Sequence, residues 1–176
     1  MSGPSRATVP AFAAEPHDLG GGIALAPMTA ADAAWAGALC ASIEPWLSYP
    51  FTEAALTAFF AKPDDMAPRF LVRADAEPAG TLVVRRDWMR GPYVHILMVS
   101  PAHQGRGLGG RLLAWTEGEA RRIGERNLWI AVTESNGGAR RLYERFGFDV
   151  VATLPGLVRD ERTELLLRKR LADSQQ

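Results

Sequence analysis

Cysteine is almost absent from the 176 residues: Cys40 stands alone. One thiol excludes an internal disulfide framework and a Cys-based zinc cage, and a disulfide-free chain suits a reducing compartment. An excess of one charge is also missing, because twenty Lys and Arg balance twenty Asp and Glu. That argues against a whole-molecule electrostatic trap for nucleic acid or an anionic membrane. No apolar run reaches the roughly 18–20 residues that cross a bilayer. The N-terminus lacks the charged-then-apolar order of a secretory signal. The sequence therefore predicts a cytoplasmic protein with neither nucleic acid nor membrane as partner, and no metal.

Apolar residues, by contrast, make up 47% of the chain, enough for a packed core in one ordinary domain. The charges are unevenly placed. Residues 1–84 hold four basic and nine acidic residues, whereas residues 85–145 hold eleven arginines and six acids. A cationic middle suits an anionic ligand, and an acidic N-terminal part suits a cationic one.

Residues 1–22 are rich in Pro, Gly and Ala without periodicity and read as a flexible leader. A single domain is predicted over 23–170, with 171–176 as a tail. Ile23 to Ala26 is a strand candidate, and Thr29 or Asp32 can cap a helix bearing Trp35, Leu39 and Ile43. The aromatic, Pro-broken stretch Glu44 to Phe51 reads as a structured loop before a second helix that stops ahead of Pro63. Phe70–Ala74 and Thr81–Arg85 read as strands joined by a turn around Glu77–Gly80. Tyr93–Val99, a helix from about Gly107 to Ile123 and Leu128–Thr133 make a βαβ unit, so its two strands should be parallel. A helix from about Gly137 to Phe146 and an antiparallel pair, Val150–Leu154 and Glu164–Arg168, complete the chain. The fold class is α/β (α+β): a mixed, mostly antiparallel sheet of about six to seven strands, with about four helices on its two faces.

The sharpest local signal is Gln104-Gly105-Arg106-Gly107-Leu108-Gly109-Gly110, between an apolar strand and a helix. Glycines allow unusual backbone conformations, and the first amides of a helix are unpaired beside the positive end of its dipole. Together these suit a phosphate or pyrophosphate, and Arg106 and Arg111 add positive charge. Gly105, Gly107 and Gly110 also satisfy the dinucleotide G-x-G-x-x-G pattern, with Glu134 ending the next strand. That fold needs several further parallel strands, and only 42 residues follow Glu134.

A second segment is Asn136-Gly-Gly-Ala139-Arg-Arg-Leu142-Tyr143-Glu-Arg-Phe146-Gly147-Phe148. Asn136 is a good N-cap, and Ala139, Leu142, Tyr143 and Phe146 share a helix face. Read alone, Tyr143 is a core aromatic. The glycine loop resembles the Gln/Arg-x-x-Gly-x-Gly/Ala pyrophosphate motif of the GNAT superfamily of acyl-CoA-dependent N-acetyltransferases, at Gln104, Gly107 and Gly109. The second segment resembles that family's Asn-x-x-Ala-x-x-Leu-Tyr-x-x-x-Gly-Phe. The resemblance covers about residues 23–170 and is to the ribosomal-protein-acetylase-like subgroup.

The resemblance implies that the central parallel strands splay apart and hold the pantetheine arm of acetyl-CoA between them. Met98 and Val99 would supply backbone partners, Gln104 to Gly110 the diphosphate cradle, and Asn136 a bond to the pantetheine amide. It places Tyr143 where the family's general acid lies. It implies transfer of an acetyl group to a primary amine by direct attack through a tetrahedral intermediate; Cys40, away from both motifs, gives no support to a thiol intermediate.

An ammonium with pKa about 10.4 is neutral only about once in 2,500 molecules at pH 7, so a proton acceptor is needed. Family members often carry a carboxylate on the strand before the pyrophosphate loop, where this chain has His95; that histidine is either the base or a satisfied buried side chain. Glu44 is the second candidate, in a loop that the resemblance makes one wall of the acceptor cleft. Trp46 and Tyr49 beside it suit a cationic amine or simply pack the loop. The acceptor is a small molecule or a protein amine, and the chain a monomer or homodimer. The alternative is a non-catalytic acyl-CoA-binding or interaction module of the same fold.

Overall fold

A threonine fixes the start of each of the first two helices in the structure, a computed structural model that describes residues 11–171. Thr29 Oγ1 accepts from the Asp32 amide at 3.2 Å, and Asp32 Oδ2 accepts from the Thr29 amide at 3.0 Å. This reciprocal capping box opens α1 (Ala30–Ser42). Thr52 Oγ1 accepts from the Ala55 amide at the head of α2 (Glu53–Ala61).

The strands are β1 (His17–Gly20), β2 (Ile23–Pro27), β3 (Arg69–Ala74), β4 (Glu77–Trp88), β5 (Gly91–Val99), β6 (Asn127–Thr133), β7 (Asp149–Pro155) and β8 (Thr163–Arg170). They form one sheet in the order β1-β2-β3-β4-β5-β6-β8-β7. Every pairing is antiparallel except β5 with β6. That pair is joined by the crossover helix α3 (Leu108–Arg122), which is what a parallel connection requires. α4 (Gly137–Arg145) follows β6. Among the described residues the fold is α+β, with one mixed sheet and four α-helices.

Helices cover both faces. On one, Leu112 and Leu113 of α3 pack with Phe70, Leu82, Leu128, Ile130 and Leu167. On the other, Ala33, Ala36 and Cys40 of α1 and Leu56 and Phe60 of α2 cover Val83, Ile96 and Met98. Burial pushes the Cys40 thiol up to about 12, so it stays a protonated, unreactive part of this layer.

Three sequence expectations need correction. The stretch 11–22 is not a loose leader: β1 adds an eighth strand, and Phe12 is buried edge-on against Trp115 at 5.7 Å. The Phe12 amide donates to Glu119 Oε2 at 2.9 Å. A four-residue strand and single aromatic anchors leave no periodicity to read, whereas their burial ties the segment down. The β3–β4 turn is Asp75-Ala76, at φ 49° and 70°, a two-residue hairpin. Glu77–Gly80 belongs to β4, and Pro78 is accommodated beside a register shift. Leu171 is buried, and its amide donates to the Arg126 carbonyl at 2.8 Å, so the first residue of the expected tail packs with the domain. The rest of the leader and tail, 1–10 and 172–176, lies outside the described residues. Among those described, no helix is long and apolar enough to cross a membrane.

The feature that positions the site is a bulge. Val83 pairs with Ile96 and Val84 with Val94, so His95 is the extra residue. As a result Val94 faces the α3 layer and Ile96 the α1–α2 layer. β5 pairs with β6 only at Tyr93–Trp129 and Val94–Ile130, and beyond that point the parallel strands part.

Candidate functional site

The parting of β5 and β6 leaves one edge of β5 bare. The Ser100 amide donates to the Ala79 carbonyl at 2.8 Å. Backbone groups alternate in direction along a strand, so Met98 also turns its N–H and C=O toward β4. The groups of Leu97 and Val99 then face the gap. This corrects the expectation for Met98, whose side chain is buried under α1 and α2; Leu97, one residue earlier, takes its place. Gln104 Nε2 donates to the Val99 carbonyl at 3.1 Å, holding the glycine loop against the strand end.

The loop turns through Gly105 and Gly107 at φ 75° and 79°, the left-handed region that glycine enters without strain. Gly107 is the N-cap of α3 and offers no side-chain acceptor. The first i to i−4 bond runs from the Arg111 amide to the Gly107 carbonyl at 3.1 Å. The amides of Leu108, Gly109 and Gly110 at the head of the helix precede it and are free for an anion. A Cβ built on Gly105, Gly107 or Gly110 meets nothing within 4 Å, whereas one on Gly109 would lie 2.9 Å from Leu142 Cδ2. Gly109 thus lets α3 approach α4, and the other three keep the loop surface clear. These residues fit a diphosphate: open space in front of backbone donors. Arg111 is committed elsewhere, donating from Nη1 to the Gly20 carbonyl at 2.7 Å, and exposed Arg106 stands outside the cleft lining.

The gap and the loop open into one cleft of about 1470 Å³. Of the candidate residues named from the sequence, Glu44, Trp46, Tyr49, His95, Met98, Val99, Gln104, Gly105, Gly107, Leu108, Gly109, Gly110, Asn136 and Tyr143 line it. Arg106 and Arg111 do not. Asn136 caps α4, its Oδ1 accepting from the Ala139 amide at 3.1 Å, which leaves Nδ2 for a ligand carbonyl. Tyr143 is buried and packs edge-on to Phe148 at 6.1 Å. Burial first, and the neighbouring Tyr93 second, push its hydroxyl well above the usual phenol range. It therefore carries its proton at neutral pH.

His95 is exposed to the cleft and makes no hydrogen bond with a described residue, so it is not a satisfied core histidine. Its ring lies against Phe59 (5.4 Å) and Tyr93 (5.7 Å). Desolvation by these neighbours, then repulsion from Arg69 and Arg85, hold it below the ordinary imidazole value. The ring is neutral at pH 7, the state of a proton acceptor.

The far wall is built from distant parts of the chain. Glu44 accepts from Ser48 Oγ and lies 3.9 Å from Arg162 Nη1. Trp46, in the 3-10 turn Trp46–Ser48, packs against the α1–α2 layer as well as lining the cleft. Tyr49 does more than pack. Its hydroxyl donates to Glu164 Oε1 at 2.7 Å and lies 2.6 Å from Thr133 Oγ1. Burial, relieved in part by Thr133 and reinforced by Glu164, pushes it up to about 12. Sequence reasoning passed over Glu164, Thr133, Tyr93 and Arg162, all of which line the cleft; a carboxylate heading the apolar run Leu165-Leu166-Leu167 was the available signal. Among the described residues, no group of three His, Cys, Asp or Glu is placed to hold a metal ion.

Comparison with known proteins fits this geometry. Residues 32–148 match the acetyltransferase (GNAT) family. The chain is 39% identical over 69 residues to an L-methionine sulfoximine/L-methionine sulfone acetyltransferase of Salmonella typhimurium, covering 39% of this chain and 40% of that protein. It is 35% identical over 78 residues to a streptothricin acetyltransferase of Streptomyces lavendulae, covering 44% and 41%. The match thus spans about two fifths of the length of these curated relatives. The crystal structure of a nourseothricin acetyltransferase superposes with TM-score 0.56 at 29% identity, over 64% of this chain and 70% of that one. The ribosomal-protein-S18-alanine N-acetyltransferase of Escherichia coli superposes with TM-score 0.69 over 88% and 98%, and its 18% identity speaks for the fold alone. On the matched residues and the shared architecture, this chain belongs to the acetyltransferase (GNAT) family.

Proposed function

We propose that the chain transfers an acetyl group from acetyl-CoA to a primary amine by direct attack of the amine on the thioester. The observation that carries this reading is the bare edge of β5 running into a helix N-terminus: Leu97 and Val99 face the gap, and the amides of Leu108, Gly109 and Gly110 stand at its end. An extended amide-bearing arm finds backbone partners along the strand, and the diphosphate behind it finds the helix amides. When bound, acetyl-CoA supplies an activated acyl carbon and a thiol leaving group.

The remaining steps belong to groups of this chain. His95, neutral and open to the cleft, accepts the proton that the acceptor ammonium must lose. A backbone N–H at the bulged strand supports negative charge on the acyl oxygen. Tyr143, held protonated by burial, donates to the departing sulfur and regains a proton from the acceptor nitrogen as the amide forms. Asn136 Nδ2 orients the arm between them.

Calorimetry with coenzyme A, followed by a thiol-release assay with acetyl-CoA and a panel of primary amines, tests the reading. Micromolar binding and amine-dependent release of one thiol per amine acetylated are expected. No uptake of coenzyme A at millimolar concentration would overturn it.

A further inference from the structure

Glu164 is the one buried charged side chain among the described residues, at 5% exposure. It sits at the start of β8, paired in register with Thr133 of β6, on the wall of the cleft. No cation lies within ion-pair distance of it among the described residues. Arg162, two residues earlier, is turned to Glu44 Oε2 at 3.9 Å and to the Tyr49 ring at 5.9 Å. Glu164 Oε1 takes the Tyr49 hydroxyl at 2.7 Å. Oε2 receives no hydrogen bond from a described residue. The buried polar side-chain atoms left without a partner are Thr81 Oγ1 and Trp88 Nε1; Glu164 Oε2 is not among them, so it reaches the cleft.

Oε1 is fixed by the Tyr49 hydroxyl, while Oε2 opens into the cleft with no described cation beside it. Neither packing nor the Tyr49 bond requires a carboxylate, since a glutamine would accept the same hydroxyl. An open carboxylate oxygen is matched in charge by a cation entering the cleft. Tyr49 and Tyr93 line the same cleft, and aromatic rings favour an ammonium over a neutral group. The Thr133–Tyr49–Glu164 chain of hydrogen bonds holds Oε1 still and leaves Oε2 for the incoming group.

We propose that Glu164 is the acceptor-binding residue, receiving the protonated amine of the acceptor on Oε2, with Tyr49 as its positioning residue. The acceptor class is thereby a primary amine bound as its ammonium ion, and neutral nitrogen compounds are poor substrates. This rests on the acetyl-transfer reading above and names the side chain that selects the acceptor.

The test begins with wild-type protein and acetyl-CoA against L-amino acids, their amides, putrescine and spermidine, scored by thiol release. With the best acceptor found, Glu164→Gln raises the acceptor KM by about thirtyfold or more, the loss of one charge-assisted bond. Its coenzyme A affinity and acetyl-CoA KM stay within about twofold of wild type, and Glu164→Asp recovers part of the loss. A measurement on wild-type protein stands even if these variants fail to fold. The N,N-dimethyl derivative of the best acceptor keeps the charge and cannot be acetylated; it should compete about tenfold better than the analogue bearing hydrogen in place of the amine. An unchanged acceptor KM in Glu164→Gln, or equal competition by the two analogues, overturns the role of Glu164 while leaving acetyl transfer intact. Coenzyme A binding with no thiol release from any amine overturns both.

Discussion

The two halves of the cleft are built by different means. In the proposed function, the coenzyme half comes from contiguous chain: the end of β5, the loop 104–107 and the first turn of α3, with α4 alongside. Its working groups are mostly backbone amides, and its glycines matter by having no side chain. The acceptor half joins Tyr49 to Thr133 and Glu164, residues 84 and 115 positions away, and its working groups are side chains. A backbone site is fixed once the strand–turn–helix forms. A side-chain site varies with every substitution on the elements that meet there, which is why one fold can serve many acceptors.

The largest effect is expected where the halves meet. Tyr143→Phe removes the proposed proton donor and keeps the ring that packs on Phe148, so kcat should fall on the order of a hundredfold with coenzyme A affinity unchanged. Wild-type turnover with a true acceptor would remove Tyr143 from the mechanism. Next comes Gly107→Val. A branched side chain at φ 79° costs about 1–2 kcal/mol, and it projects into the open space before the helix amides. Coenzyme A binding by calorimetry should weaken by on the order of tenfold or more, with acceptor KM unmoved at saturating acetyl-CoA. Equal loss on both sides would show that the halves are not independent.

The same contrast explains what could be read from the sequence. The glycine loop, the α4 cap and the βαβ unit are local patterns, and they are legible in the sequence alone. The capping threonines and the stop before Pro63 were legible for the same reason. The acceptor wall was not, because nothing along the chain ties Tyr49 to Glu164; only the antiparallel β6–β8 register brings Thr133 and Glu164 together beneath the loop. β1 was missed because four residues are too few to show alternation. The one-residue move from Met98 to Leu97 follows from which edge of β5 the hydrogen bonds to β4 occupy, and sequence does not encode that visibly.

His95 offers a sharper probe of the acceptor half. Its folded value lies below the usual 6.5 or so for imidazole, so the neutral form persists to lower pH than in a free histidine. With acetyl-CoA and acceptor saturating, kcat should hold as pH falls through that range and decline only below it. His95→Gln should abolish this acid limb. A limb unchanged in the variant assigns the proton transfer to another group.

The smallest effect is expected from Tyr49→Phe, and it separates the halves most cleanly. The ring remains, so packing against Phe51 (6.0 Å) persists. What goes is one donor to a buried carboxylate and one acceptor for Thr133. Leaving such a group short of a partner costs about 1–3 kcal/mol, and water entering from the open cleft offsets part of that. Thermal unfolding should therefore fall by a few degrees. Glu164, no longer held at Oε1, should bind the acceptor only severalfold more weakly, because its charge is intact. Coenzyme A, proposed to meet backbone amides of the loop, should bind as in the wild type. If calorimetry instead shows coenzyme A affinity dropping as far as acceptor KM rises, the wall and the loop form one coupled site, and the division between them fails.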